Sequence, residues 1–366
     1  MRILFSHLLN NYTGSPKVLR NSILAFSNDK NFNITVLTSK SDGFLFGIDG
    51  VRYKSNGYKW SSHKFGVAFY FVISQIVSFF KVVFSRKYDV LYANTIYNFG
   101  ASLAAKLKGS KIIFHIHESY LNPNVLQRIC LANVYKTADK IICVSHYLAS
   151  TLESDKICIV YNSNAPQAKT NKMVSDEILE NRFQKKIIMM PCSLKTYKGI
   201  LQFVKLSEIL PKFDFQLFCS ATQDEIEEYK KQNNIILTQN LKIFPNQTDL
   251  LPYYTYASIV TNLSLNDRFV ETFGMTLIEG FMYSLPVIAP NYGGPKEIVN
   301  NEVNGFLIEP FEIESVAEKM RFLLSDFEVY KSFAKNAFEN GKKYKWEHYA
   351  EKIRDVVMTT CEGITK

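Results

Sequence analysis

The chain has 366 residues, more than the ~100–200 of a typical domain, so we expect two domains that each bury a core of their own. Its 47% hydrophobic and 21% charged residues are typical of a folded globular protein and exclude a disordered one. The net charge of +9 is uneven: residues 1–165 hold 19 lysines and arginines against 8 aspartates and glutamates, and residues 166–366 hold 24 against 26. Either the first half faces an anionic partner, such as a nucleic acid, a membrane surface or a phosphorylated substrate, or the excess serves solubility alone.

Six scattered cysteines, none of them spaced as C-x-x-C, argue against a zinc site and against a disulfide framework. We therefore expect the reduced thiols of a cytoplasmic protein. At the N-terminus, too few apolar residues follow Arg2 for a signal peptide, and residues 3–7 predict a first buried strand instead.

Short runs of apolar, largely β-branched residues alternate with amphipathic stretches through the first half. The runs predict strands and the stretches predict helices, in the rhythm of a doubly wound parallel sheet. The predicted strands are residues 3–7, 34–38, 90–93, 112–117, 141–144 and 157–160, and the predicted helices are residues 16–28, 99–108, 124–136 and 146–153.

Residues 65–80 form a run of sixteen uncharged residues. The run is shorter than the ~20 apolar residues of a spanning helix, and Ser74, Gln75 and Ser78 interrupt it. Two interpretations stay open: a helix buried on the sheet, or a helix whose aromatic face dips into a membrane. In the second, the basic residues available to anionic lipid are Lys54, Lys59, Lys64, Lys81, Arg86 and Lys87.

A polar stretch without periodicity, residues 162–172, predicts a linker between domains. The alternation of strands and helices then starts again, which predicts a second Rossmann-like sheet. Its predicted strands are residues 187–190, 215–219, 241–244, 258–261, 286–289 and 305–308.

The segment that follows residue 270 carries the clearest chemistry. A turn at Phe273-Gly274 leads into a predicted helix over residues 275–283. At the helix start, the backbone N–H groups of Gly274, Met275 and Thr276 suit a pyrophosphate, and Gly274 permits its close approach.

Two glutamates frame this helix start: Glu271 precedes the helix, and Glu279 lies inside it. They are too far apart along the chain to act on one atom, so they would serve different parts of one extended ligand. A generic helix with surface carboxylates is the alternative. The segment resembles the signature of family 4 retaining glycosyltransferases, which combines E-x7-E and an interior Phe-Gly with the later Leu-Pro-Val-Ile-Ala, Gly293-Gly294, Glu297-Ile-Val and Asn304-Gly-Phe-Leu.

The resemblance implies the α/β GT-B fold, in which two Rossmann-like parallel-sheet domains face each other across a cleft and a C-terminal helix crosses back to the first domain. Here it implies an acceptor-side domain of residues 1–164 plus 346–366, and a donor-binding domain of residues 165–345. It also implies transfer of a hexosyl group from a nucleoside diphosphate sugar to a hydroxyl with retention of configuration. Glu271 would contact the transferred sugar as a catalytic residue, and Glu279 would hold the ribose.

The diphosphate clamp of the family departs from its usual form here. Lys198, in Lys198-Gly199, matches the family lysine, whereas Ser193 stands where the family has an arginine. Lys195 would either compensate as a point charge or be a solvated lysine, since a lysine lacks the bidentate fork of an arginine. No Asp-x-Asp motif is present, so we expect neither a metal nor another cofactor.

Two first-domain positions also match the family. At the first βα turn the family often has a Gly-Gly pair, of which this chain has only Gly14. Gly14 would bring the backbone close to the donor phosphate or the acceptor. The alternative is an ordinary turn that caps the following helix. His117 follows a predicted strand, at the carboxyl end where ligands bind, and would donate a hydrogen bond to the transferred sugar or to charge near its anomeric carbon. His115 is the deeper alternative.

Three further residues have weaker support from the pattern. Phe244 and Asn246 resemble the loop that reads the base, and Arg268 would approach the phosphates or lie on the surface.

The acceptor implied is a lipid-linked or cell-surface polysaccharide glycan, with the enzyme peripheral at the inner face of the cell membrane. Three rival functions remain: a nucleotide-sugar epimerase, a non-catalytic nucleotide-sugar-binding relative, and a nucleic-acid-binding protein. The last lacks any RRM, helix-turn-helix or zinc pattern.

Overall fold

The computed structural model describes residues 1–164, 173–247, 249–267 and 270–362. The chain divides into two compact units: Met1–Asn162 with Trp346–Lys366, and Ser163–Lys345. Residues 165–172 of the predicted linker and the candidate Arg268 lie outside the described residues.

The first unit is built on a parallel sheet of seven strands in the order β3-β2-β1-β4-β5-β6-β7. The order reverses between β1 and β4, and ligands of such sheets bind beyond the carboxyl ends of the strands at that point. The strands are β1 Arg2–Ser6, β2 Asn33–Thr38, β3 Val51–Ser55, β4 Val90–Asn94, β5 Lys111–Ile116, β6 Lys140–Cys143 and β7 Ile157–Ile159. The helices are α1 Gly14–Ser27, α2 Lys64–Val83, α3 Phe99–Leu107, α4 Val125–Thr137 and α5 His146–Ser150.

The second unit repeats this architecture with six parallel strands in the order β10-β9-β8-β11-β12-β13. The strands are β8 Ile187–Cys192, β9 Asp214–Cys219, β10 Leu241–Pro245, β11 Ile259–Thr261, β12 Val287–Pro290 and β13 Gly305–Ile308. The helices are α6 Asp176–Lys185, α7 Ile200–Ile209, α8 Gln223–Gln232, α9 Leu251–Tyr254, α10 Met275–Met282, α11 Pro295–Ile298, α12 Ile313–Leu323 and α13 Phe327–Gly341.

These elements confirm the predicted pair of Rossmann-like sheets. Strand β3 was not among the strands predicted from the sequence. It lies at the edge of the sheet and pairs only with β2, so its residues are half-buried or exposed and it carries no apolar run to signal a strand.

The last helix, α14 Trp346–Cys361, packs on α1 of the first unit. The hydroxyl groups of Tyr349 and Ser22 lie 2.6 Å apart, and an Arg354 guanidinium nitrogen donates to the Asp29 carboxylate across 2.7 Å. The chain therefore returns to its first unit at the C-terminus, as predicted.

Helix α2 is not buried on the sheet, so that interpretation of residues 65–80 is wrong. Only Ser74, Ser78 and Val82 of this helix are buried. Within the described part of the chain, α2 is the one helix whose length and apolar composition would allow it to cross a membrane.

Candidate functional site

The N-terminus of α10 is shaped by a glycine. Gly274 has φ +104°, and a Cβ atom on it would lie 2.9 Å from a methyl group of Leu277, so the turn requires glycine. The next two residues, Met275 and Thr276, are half-exposed and occupy the first turn of α10, where backbone N–H groups have no acceptor within the helix. Such a helix start attracts phosphate and other anions.

An ion pair lies next to this helix start. The Lys198 ammonium donates to a Glu271 carboxylate oxygen across 2.7 Å, and the two side chains are only 17% and 16% exposed. Burial raises the pKa of Glu271, but Lys198, with help from Asn262 and the backbone N–H of Phe273, outweighs it and brings the pKa below its usual value. Burial lowers the pKa of Lys198, but Glu271 outweighs it and raises the pKa. Both groups are therefore charged at neutral pH.

The glycines of the signature hold these two residues in place. A Cβ atom on Gly293 would collide with the carbonyl oxygen of Glu271, and the Gly294 N–H donates to that same oxygen across 2.8 Å. Gly199, with φ +79°, lies against the carbonyl of Leu263 just after Lys198. Backbone packing that only glycine permits thus places the residue after Lys198 against Leu263, and Glu271 against Gly293 and Gly294.

The second glutamate is held by a tyrosine that the sequence analysis missed. Glu279 is 8% exposed and accepts a hydrogen bond of 2.7 Å from the Tyr254 hydroxyl. Burial and the nearby carboxylate raise the pKa of Tyr254, so its hydroxyl remains a donor. Tyr254 stacks on Tyr283, with ring centroids 5.7 Å apart.

A buried arginine supports this arrangement. Arg182, in α6, is 1% exposed and donates to backbone carbonyls at the ends of both α9 and α10. The acceptors are Tyr283 at 2.6 Å and Thr255 at 2.8 and 2.9 Å. Arg182 therefore ties the segment of Tyr254 to the helix of Glu279 without contacting a carboxylate among the described residues.

Three aromatic rings form a cluster at the carboxyl ends of β9 and β10. Phe244 stacks on Phe218 with centroids 4.7 Å apart, and Tyr253 lies 4.4 Å from Phe218. Asn246 follows with φ +33°, and its N–H donates to the carbonyls of Cys219 and Ala221 at the end of β9. The predicted base-reading residues thus lie on a turn fixed by backbone hydrogen bonds.

The departures from the family clamp lie just after β8. Ser193 is half-buried, Lys195 is exposed, and the Lys195 carbonyl accepts the N–H of Lys198 across 3.0 Å. The role of Lys195 in phosphate binding therefore remains a prediction. The Phe273 side chain is buried against Tyr344, so any contact of Phe273 with a donor would involve its backbone.

In the first unit, Asn94 contacts both His117 and the residue that follows Gly14, the two positions that match the family there. Its side-chain oxygen accepts from His117 Nε2 at 2.7 Å, and its side-chain nitrogen donates to the carbonyl of Ser15 at 3.2 Å, one residue after Gly14. Among the described residues, none has an atom within 4 Å of a Cβ atom built on Gly14, so their packing does not require glycine there. A polar residue at the carboxyl end of β4 was the signal that could have identified Asn94.

His117 is a neutral imidazole in this cluster. Burial, with the neighbouring rings of His115 and His7, lowers the pKa of His117 well below its ordinary value. Because an amide oxygen only accepts, the hydrogen bond to Asn94 places the proton on Nε2 and makes Nδ1 an acceptor. The contact of His117 with a sugar remains a prediction.

His115 lies deeper, as expected. Its ring is fully buried, its Nδ1 lies 2.7 Å from the Tyr92 hydroxyl, and burial lowers its pKa to about 3. The six cysteines are unbridged, and the described residues contain no group of three or more His, Cys, Asp or Glu side chains placed to hold a metal ion.

Two models of protein families together match most of the chain. Residues 15–163 match the family model described as Glycosyltransferase Family 4, and residues 171–340 match that of Glycosyl transferases group 1. A sucrose-phosphate synthase of Zea mays is 30% identical over 143 residues, 35% of this chain and 13% of that enzyme. The match thus spans only a small part of the plant enzyme's length.

Two other similar proteins are closer to this chain in length. An uncharacterised glycosyltransferase of Methanocaldococcus jannaschii is 26% identical over 302 residues, 78% of this chain and 80% of its own. The Anabaena protein HepE, solved with UDP, has a TM-score of 0.78 at 17% identity, over 98% of this chain and 100% of its own. HepE has also been solved with UDP-glucose. The chain therefore belongs to the family 4 glycosyltransferases and has their GT-B fold.

Proposed function

We propose that this protein transfers a hexosyl group from a nucleoside diphosphate sugar to a hydroxyl of a glycan acceptor, with retention of configuration. The observation that carries the proposal is the placement of two anchored carboxylates about one helix start. Glu271 lies before α10 beside Lys198, and Glu279 lies within α10 on the Tyr254 hydroxyl. This spacing suits a long donor with a sugar at one end and a ribose further along.

The diphosphate would lie at the N-terminus of α10. The N–H groups of Met275 and Thr276 and the ammonium of Lys198 would stabilise negative charge as it grows on the leaving phosphate. These groups supply positive charge without a divalent cation, so we propose a metal-independent reaction with no other cofactor.

The base would lie near the aromatic cluster of Phe218, Phe244 and Tyr253, beside the backbone of the turn at Asn246. UDP is the first nucleotide to test, since HepE was solved with UDP and with UDP-glucose.

In the proposed reaction, the bond between the anomeric carbon and the phosphate oxygen breaks as the acceptor oxygen bonds to the same face of that carbon. The acceptor proton passes to the leaving phosphate oxygen, which departs as the nucleoside diphosphate. Glu271 would hold hydroxyls of the transferred sugar. A hydrogen bond of His117 to the sugar, as the family resemblance implies, is part of this proposal.

The acceptor we propose is a lipid-linked or cell-surface polysaccharide glycan, met at the cytoplasmic face of the cell membrane. The support is the excess of basic residues in the first 165 residues, which suits a membrane-borne or phosphorylated acceptor.

The serine at position 193, where the family has an arginine, favours one second candidate, a nucleotide-sugar-binding relative without transfer. Incubation with a panel of UDP-, GDP- and ADP-sugars, with and without extracted acceptor lipid, distinguishes the two. Transfer predicts nucleoside diphosphate release that increases with acceptor and is lost in Glu271→Gln. Binding without release would overturn the proposal, as would conversion of the sugar to its epimer.

A further inference from the structure

Helix α2 turns its large apolar side chains towards solvent. Phe65 is 93% exposed and Phe69 61%, whereas Ser74 is 0% and Ser78 6% exposed. The exposed side chains recur every three or four residues, which places them on one face of the helix. We call this face the apolar stripe; it consists of Phe65, Phe69, Val72, Ile76, Phe80 and Phe84.

This arrangement is the reverse of an ordinary surface helix, whose apolar face packs on the core. It also explains why polar residues interrupt the run, because Ser74 and Ser78 lie on the inner face. Exposed apolar patches of this kind mark interaction surfaces.

The packing of α2 on α3 fixes the direction of the stripe. The Gln75 side-chain oxygen accepts the N–H of Gly100 across 3.0 Å, and the Gln75 side-chain nitrogen donates to the Tyr97 carbonyl. A Cβ atom on Gly100 would collide with the backbone of Gln75, so the two helices touch at their main chains. Turning the stripe inward would break this contact.

The charge around the stripe favours an anionic surface. Residues 50–88 contain no aspartate or glutamate. Lys81, near one end of the stripe, has its pKa lowered by partial burial and by the charges of Lys54 and Lys40. The basic residues of this segment are Arg52, Lys54, Lys59, Lys64, Lys81, Arg86 and Lys87.

A second apolar patch borders the stripe. The ring of Phe71 in α2 lies 6.1 Å from that of Tyr97, whose hydroxyl accepts from Gln127 in α4 across 3.2 Å. Around the start of α4, the exposed apolar residues are Leu121, Val125, Leu126 and Ile129. These contacts link α2 to the start of α4, which follows β5 and His117 in the chain.

We propose that α2 lies in the plane of an anionic membrane, with the apolar stripe among the acyl chains and the flanking lysines and arginines at lipid phosphates. Trp60, 68% exposed just before α2, would sit at the headgroup level, where tryptophan is enriched. The helix does not span the bilayer, because its inner face is packed on α3. Delivery of a lipid-linked acceptor to this surface rests on the proposed function, whereas membrane binding does not.

The test uses the full chain and vesicles of phosphatidylcholine with or without phosphatidylglycerol. The triple substitution Phe69→Ser, Ile76→Ser and Phe80→Ser should lower vesicle affinity at least tenfold, as should neutralising Lys64, Lys81, Arg86 and Lys87 to glutamine. Binding should weaken with salt, because exposed charges are screened over ~8 Å at physiological ionic strength. The control is Ile236→Ser with Phe311→Ser, two exposed apolar residues of the second unit, which should bind as wild type.

Tryptophan fluorescence gives a second readout. With Trp346→Phe, Trp60 is the only tryptophan, and its emission should shift to the blue and be quenched by brominated lipid. Wild-type binding by the triple variant, or unquenched Trp60, would overturn the proposal. So would a stripe-dependent dimer without vesicles, seen by light scattering, since a second copy would then cover the stripe. Nucleotide release from the donor in lipid-free buffer should persist in the triple variant, which separates this proposal from the proposed function.

Discussion

Lys198 and Glu271, separated by 73 positions in the chain, form an ion pair of 2.7 Å at the start of α10. The family resemblance assigns them to different parts of the donor, the lysine to the diphosphate and the glutamate to the sugar. Because of this ion pair, Lys198 would contact a bound diphosphate and Glu271 at the same time. Lys198 already neutralises the charge of Glu271 before the diphosphate binds. Lys198 therefore also orients Glu271 before any ligand arrives.

The first prediction concerns the pH dependence of this pair. Because the folded pKa of Glu271 is lowered, its stabilisation is present above the ordinary glutamate pKa and is lost as pH falls through the lowered value. Because the pKa of Lys198 is raised, its stabilisation holds below the ordinary lysine pKa and is lost as pH rises through the raised value. Lys198→Met should therefore cost most stability near neutral pH and less in acid.

Urea unfolding of wild type and Lys198→Met between pH 3 and pH 8 measures this difference. The matched control is Lys205→Met, which removes an exposed partner of Glu208 on α7 and should change little at any pH. An equal cost of Lys198→Met at pH 3 and pH 7 would rule out the assigned linkage.

The second prediction separates the two glutamates. Glu279→Ala should weaken UDP binding about ten- to hundredfold, as expected for loss of hydrogen bonds to a charged group. Glu271→Ala should not lower UDP affinity but should lose turnover, because its proposed partner is the sugar. Calorimetry with UDP and initial rates with the sugar nucleotide measure both effects, and equal losses of UDP affinity in the two variants would contradict the assignment.

The third prediction concerns the hydroxyl of Tyr254. Tyr254→Phe removes the donor to Glu279 and leaves the ring stacked on Tyr283, so UDP affinity should fall by roughly tenfold with little change in fold. The matched control is Tyr283→Phe, which alters the other ring of the stack. If both variants bind UDP as wild type does, Tyr254 does not position Glu279.

The fourth prediction concerns His117. As a neutral acceptor of one hydrogen bond from the sugar, it should contribute about tenfold to turnover. As a donor to charge in the transition state, it would contribute about a hundredfold or more. His117→Ala should show the smaller loss of turnover with unchanged UDP affinity, and a modest loss of stability because the buried Asn94 oxygen loses this donor.

His115→Ala is the comparison, because His115 is buried on Tyr92 and should act through stability. Thermal melts and initial rates on both variants decide between the two histidines. A stable but inactive His115 variant beside a normal His117 variant would show that the wrong histidine was assigned.

The sequence by itself determined the two Rossmann-like sheets, because strands buried on both faces need continuous apolar runs that any local window reveals. Strand β3 escaped because an edge strand such as Val51–Ser55 has no such requirement. The turn at Gly274 and the helix after it were also predictable, since the positive φ and the helix start depend on neighbouring residues only.

Contacts between distant segments were decided by the tertiary structure alone. The pairing of Asn94 with His117 depends on β4 and β5 becoming neighbours in the sheet. The pairing of Tyr254 with Glu279 depends on the packing of α9 beside α10. The direction of α2 is a further case: an apolar run with few polar residues does not say which face packs inward. Backbone contact between Gln75 and Gly100 decides it, and that contact leaves the aromatic side chains in solvent.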